Sequence, residues 1–182
     1  MKTNKLDMYK QMEETIEAKT VNKKVNIWGA IIFIILAIPY QLIWGYGEFE
    51  LLFLFKVIVG YFVFIVLHEL LHLIGYICIG KAKVKEVKVG VMWKHMMPYA
   101  YCKVPLKINH YRIAVVLPII LGIVPLIYAY LFGSGFLFVI GVLMTVGSFG
   151  DLIILNMLKK YPKETYIQDH PSKIGCVVYI QE

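Results

Sequence analysis

Four long apolar runs, at about 25–44, 51–79, 113–132 and 136–158, constrain this chain more than any other feature. Each reaches the roughly 20 residues that a helix, rising about 1.5 Å per residue, needs to cross the hydrocarbon layer of a bilayer. The second run is longer and must tilt or protrude. Pro39, Pro118 and Pro125 fall inside these runs, which membrane helices tolerate where neighbours satisfy the freed carbonyls. The chain is 59% hydrophobic and 17% charged, against about half and about a quarter for a soluble domain. The expected fold class is therefore an all-α membrane protein with four transmembrane helices.

Charge sets the expected orientation. Of the 19 basic residues, six precede the first run, eight lie between the second and third, and four follow the fourth. The short connection at 45–50 carries Glu48 and Glu50 and no Lys or Arg. Basic loops stay on the cytoplasmic side, so both termini and the central segment are expected there. The net charge of +7 is accounted for by these flanks, and no aromatic–basic module points to a nucleic-acid partner. The expected surroundings are the lipid bilayer, with a multi-pass placement in the plasma membrane, and the Lys- and Ile-rich composition points to a bacterium. Cys78, Cys102 and Cys176 are widely spaced without a C-x-x-C pair, which excludes a disulfide framework and a cysteine zinc ribbon.

Three divisions follow: a polar cytoplasmic leader at 1–24, a four-span domain at 25–158, and a cytoplasmic tail at 159–182. Met8, Met12 and Ile16 recur at helical spacing, so the leader could form a surface helix. Between the second and third spans, at about 82–106, Val84, Val87, Val89 and Val91 are separated mostly by Lys and Glu. After a turn region spanning 94–98, Tyr99, Tyr101 and Lys103 alternate with Ala100, Cys102 and Val104. Alternation on both sides of a turn predicts a small cytoplasmic-side β-hairpin, with an irregularity near Glu86.

The chemistry sits in the second run. Within the four runs the only acidic residues are Glu69 and Asp151, and the only histidines are His68 and His72. An ionisable residue near the bilayer centre costs about 2.5–3.5 kcal/mol on insertion scales, so each calls for an internal partner. His68-Glu69-Leu70-Leu71-His72 is an H-E-x-x-H pattern that stacks two imidazoles on one helix face. Such a pair can chelate zinc, with the glutamate beside the open coordination position as general base. The competing reading is a polar cluster that holds helices together by hydrogen bonds.

Catalytic zinc takes a third protein ligand. Asp151 is the outstanding candidate, because it and His72 each lie seven residues from the cytoplasmic end of their run, about 10 Å deep at the helical rise. Gly147 and Gly150 flank it and would leave room for close helix approach. The competing role for Asp151 is to pair with Lys56. His95, His110 and His170 are further candidate nitrogens, and Asn156 a candidate substrate or supporting contact.

With these residues in place, the chain resembles the zincin peptidase family of membrane proteins related to the site-2 proteases. The resemblance rests on the H-E-x-x-H span, Gly150-Asp151 in a later span, the basic hairpin-like insert, and an Asp169-His170-Pro171 tail with Gly175. It implies intramembrane proteolysis at Zn²⁺ held by His68, His72 and Asp151, with Glu69 as the catalytic base. Site-2 proteases usually present the aspartate as Asn-Pro-Asp-Gly or Leu-Asp-Gly, whereas here it reads Phe149-Gly150-Asp151-Leu152. The expected function is zinc-dependent hydrolysis of a membrane-protein or peptide substrate. The alternative is a non-catalytic metal-binding or scaffold membrane protein. A di-iron centre needs more His and carboxylate ligands than the spans hold, and haem ligation lacks a facing histidine.

Overall fold

The structure, a computed structural model, describes residues 9–45, 51–93 and 97–181. Four helical stretches are long and apolar enough to cross a membrane: Ala18–Trp44, Leu51–Ile79, Ile108–Phe132 and Gly135–Lys160. They include helices α1 (Ala18–Trp44), α2 (Leu51–Ile74), α3 (Ile108–Val116), α4 (Ile120–Phe132), α5 (Gly135–Gly147) and α6 (Phe149–Met157). The third stretch begins earlier than the apolar run alone suggests, and so takes His110 and Arg112 into a helix.

The chain divides into two compact units. One comprises Asn22–His68 and Pro118–Gly150 and consists of helix. Its helices meet where side chains are small: a Cβ placed on Gly141 would lie 2.9 Å from the Leu126 backbone nitrogen, and one on Gly29 would lie 2.8 Å from Val146. Small residues allow such close approach, which replaces hydrophobic burial as the driving force between membrane helices. Around Tyr40, Ala129, Phe138 and Val142 a compact aromatic core forms. There Tyr40 stacks on Phe138 at 4.1 Å, and the Tyr130 hydroxyl donates to the Leu36 carbonyl at 2.5 Å. The outer faces carry Leu42, Leu51 and Phe62, 82%, 80% and 65% exposed, a pattern that suits lipid contact and not water.

The second unit takes in the described parts of Met1–Val21, Glu69–Leu117 and Asp151–Glu182. It holds a four-stranded antiparallel sheet in the order β1 (Tyr9–Ile16), β6 (Ile174–Gln181), β5 (Tyr166–Asp169), β4 (Leu106–Lys107). One face of β5 and β6 packs inward, with Ile167 opposite Val178 and Asp169 opposite Cys176. Ile167, Cys176 and Val178 join Tyr76, Ile108, Tyr111 and Leu158 in the buried core of this unit. Between α2 and α3, β2 (Val87–Met92) and β3 (Met97–Cys102) pair antiparallel, and a 3₁₀ turn at Val84–Glu86 occupies the expected irregularity. Lys88 lies over the Tyr101 ring at 4.9 Å across this pair.

Two expectations are corrected here. The protein is mostly helical but not all-α, because the segments flanking the spans build a sheet. The leader segment 9–16 is a strand and not a surface helix, while Met8 lies outside the described residues. Met12 and Ile16 fit either period, and pairing with β6 along eight residues decides the matter by satisfying the backbone of both strands. Side chains tie the strand down: Glu14 pairs with Lys160 at 2.7 Å and accepts from Tyr161, and Glu13 pairs with Lys173 at 2.7 Å.

Candidate metal centre

Helix α2 turns its motif inward and its leucines outward. His68, Glu69 and His72 are 8%, 8% and 6% exposed, whereas Leu67 and Leu70 are 39% and 43% exposed. Four-residue spacing puts both imidazoles on one face. Asp151 enters from the first turn of α6, just after the break at Ser148, where the Ser148 amide and hydroxyl both bond the Met144 carbonyl at 3.0 Å. One ligand atom from each of His68, His72 and Asp151 falls within 4.8 Å of the others. The two carried by the more distant parts of the chain are close: His72 Nε2 lies 3.4 Å from Asp151 Oδ1.

The far side of His72 explains which nitrogen faces inward. Its Nδ1 lies 3.0 Å from the Ala114 carbonyl oxygen, which can only accept, so Nδ1 carries the hydrogen. In the neutral ring Nε2 then presents its lone pair toward a carboxylate oxygen. Two electron-pair donors facing one another favour a cation between them, and a ligating histidine whose other nitrogen is held by a backbone carbonyl is the usual arrangement in metal sites.

Close backbone approach makes this bond. A Cβ on Gly75 would lie 2.6 Å from the Ala114 Cα and 2.7 Å from its Cβ, so only glycine lets the two helices meet there. At this point α2 loosens into a π-helical stretch, Gly75–Ile79, closed by the Gly80 amide on the Gly75 carbonyl at 3.0 Å. Such widened turns are frequent beside functional residues. The next side chain, Tyr76, lies nearly parallel to the His72 ring with centroids 6.4 Å apart, and Tyr111 stacks behind it at 6.0 Å.

The remaining sequence candidates fare differently. His110 is half-buried on α3 and His170 lies in the β5–β6 connection, 3.4 Å from Glu13 and bonded by the Ser172 and Lys173 amides. Neither belongs to the three-residue group found among the described residues. His95 lies outside the described residues, and Asn156 is exposed on α6. The glycines beside Asp151 do not mark close packing, since a Cβ on Gly147 or Gly150 would meet nothing within 4 Å. That role belongs to Gly75. Sequence reasoning missed Gly75, Ala114 and Tyr76; the one signal for them is the glycine-aromatic pair a turn beyond His72.

Two buried imidazoles beside a glutamate and one half-buried carboxylate form a donor set that suits a catalytic zinc with a further position for water. The residues present therefore fit the ion that the motif implies. A protein of Pyrococcus woesei, described as "Uncharacterized 24.7 kDa protein in gap 5'region", is 28% identical over 108 residues, which is 58% of this chain and 47% of the relative. The chain thus matches about half the length of that relative. No solved structure matches the chain. Residues 61–166, which contain the whole His68, His72 and Asp151 group, match one family model, and the chain belongs to that family, described as "Putative zincin peptidase".

Proposed function

We propose that this protein is a zinc-dependent endopeptidase that cleaves peptide bonds within the membrane or next to it. The observation that carries the reading is the convergence within 4.8 Å of His68, His72 and Asp151, from two helical stretches apolar enough to cross a membrane, with Glu69 next to His68 in the chain. Zn²⁺, when bound, would supply Lewis-acid polarisation of the scissile carbonyl and a water acidified toward neutral pH. His68, His72 and Asp151 hold the ion. Glu69 takes the proton of the attacking water and delivers it to the leaving amine, the work of a general base and then a general acid. The cytoplasmic orientation implied by the basic loops puts the site about 10 Å inside the membrane surface, a short path for water. A substrate helix hides its carbonyls and must unwind before attack, and the open edge of the β2–β3 pair is suited to holding an extended segment by strand addition. The likeness to the site-2 proteases belongs to this reading.

The test is metal stoichiometry in detergent-purified protein, followed by peptidase assays on membrane-protein and peptide substrates. Wild type is expected to hold about one zinc per chain, and His68→Ala and Asp151→Ala to lose it. Glu69→Gln is expected to keep the metal and lose about 10²–10⁴-fold in turnover. No zinc in wild type after supplementation sinks the reading. Zinc retained with no Glu69-dependent hydrolysis would make the protein a metal-binding scaffold.

A further inference from the structure

Behind the tyrosines that back His72 lies a buried carboxylate that the zinc chemistry does not use. Asp169 is 8% exposed at the end of β5. Its Oδ1 accepts from the Tyr111 hydroxyl at 2.5 Å and its Oδ2 accepts from the Cys102 amide at 2.7 Å. Two donors thus converge on one carboxylate, from β3 and from α3. Burial pushes its pKa up to about 6, against the pull of the Tyr111 and Cys102 bonds, of the Tyr76 hydroxyl and of His72.

A buried carboxylate is costly unless it is hydrogen-bonded, and the bonds that satisfy it also hold its partners in place. What it holds here is the pair of rings stacked against His72. Tyr111, its hydroxyl fixed by Asp169, stacks on Tyr76, and Tyr76 lies nearly parallel to the imidazole. The opposite edge of His72 is fixed by the Ala114 carbonyl. Asp169 itself is placed by the sheet, opposite Cys176 on β6, and β6 is held in turn by β1.

We infer that Asp169 is a positioning residue of the metal centre, fixing the His72 imidazole through the hydroxyl-anchored ring of Tyr111 and the Tyr76 ring stacked between them, and adding negative charge behind it. This rests on the metal-binding part of the function proposed above, and it gives the sheet built from both chain ends a role in the site. Outer partners of a ligating histidine typically change metal affinity 10–100-fold when removed.

The experiment uses the full chain in detergent, with zinc competed against a chelating dye and cobalt(II) as a spectroscopic probe. Asp169→Asn can still accept from the Cys102 amide and donate to a tyrosine oxygen, so it removes the charge and reverses one bond while keeping the shape. It is expected to bind zinc about tenfold more weakly and to shift the cobalt absorption bands. Tyr111→Phe keeps the ring and cuts the link, so it should shift the same bands, and the double variant should be no worse than Asp169→Asn alone. A merely structural role would lower the melting temperature and leave the cobalt spectrum of the folded protein unchanged. If both single variants bind zinc within twofold of wild type with an unaltered cobalt spectrum, the inference is wrong and the zinc reading stands. If Asp169→Asn does not fold, Tyr111→Phe alone decides between these outcomes. If wild type binds neither metal, the zinc reading itself fails, and this inference with it.

Discussion

Replacing Gly75 with alanine is the sharpest test of how the site is assembled. The added methyl would sit 2.6 Å from the Ala114 Cα and 2.7 Å from its Cβ. Ordinary carbon contacts begin at about 3.5 Å, so the helices must separate by roughly 1 Å. The bond from His72 Nδ1 to the Ala114 carbonyl starts at 3.0 Å. Lengthened by that much it is no longer a hydrogen bond, since geometry fails beyond about 3.5 Å. Two costs follow. Overpacking costs about 1–3 kcal/mol, and a buried imidazole left without its acceptor adds about 1–3 kcal/mol. Freed from the carbonyl, His72 loses its fixed tautomer, and zinc affinity should fall about 10–100-fold. Thermal unfolding and chelator competition in detergent measure the two effects separately. Adding Ala114→Gly should restore little, because the clash with the Ala114 Cα remains. A Gly75→Ala protein as stable as wild type and with the same zinc affinity would refute the claim that this contact positions His72.

Further predictions follow from groups outside the spans or at their ends. Asp169 has a folded pKa of about 6 against 3.8, so the folded state binds the extra proton, and stability from this group is full below pH 4 and lost as pH rises through 6. The difference is on the order of 3 kcal/mol, and the gap in unfolding free energy between wild type and Asp169→Asn should shift by that amount between pH 4 and 7. A gap that does not change with pH would contradict the burial of this carboxylate. Burial also pushes the Cys102 thiol up to about 11 and the Cys176 thiol up to about 12. Both should resist alkylation at pH 8 in the folded protein and react after denaturation, as mass spectrometry can show; rapid labelling of either in the native state would contradict their placement. Arg112 donates to the Leu158 carbonyl at 2.6 Å and the Tyr161 carbonyl at 3.3 Å, closing the end of the helix that carries Asp151. Arg112→Met should cost about 1.5–3 kcal/mol of stability, measured by thermal unfolding, and a neutral result would mean that these carbonyls are satisfied otherwise.

The local features of this protein were legible in its residues. Apolar length alone marks four helices that can span a membrane, because a bilayer demands about 20 apolar residues of any helix that crosses it. The 3.6-residue period alone puts His68 and His72 on one face. Even the convergence with Asp151 could be read, since the helical rise turns position in a span into depth. What resisted reading was set by partners distant in sequence. Residues 9–16 carry side chains that suit a helix or a strand, and only the free edge of β6 makes them a strand. Gly147 and Gly150 look as suitable for close packing as Gly75 does. Which glycine meets a neighbour depends on how the helices cross, and no periodicity encodes that. Asp169 lies 97 positions beyond His72 in the chain, yet the sheet brings it behind the tyrosines that back that histidine. Spans and motif are properties of single segments and can be read from each segment by itself. The backing of His72 by Ala114, Tyr76 and Asp169 depends on three segments packing together, and tertiary structure alone decided it.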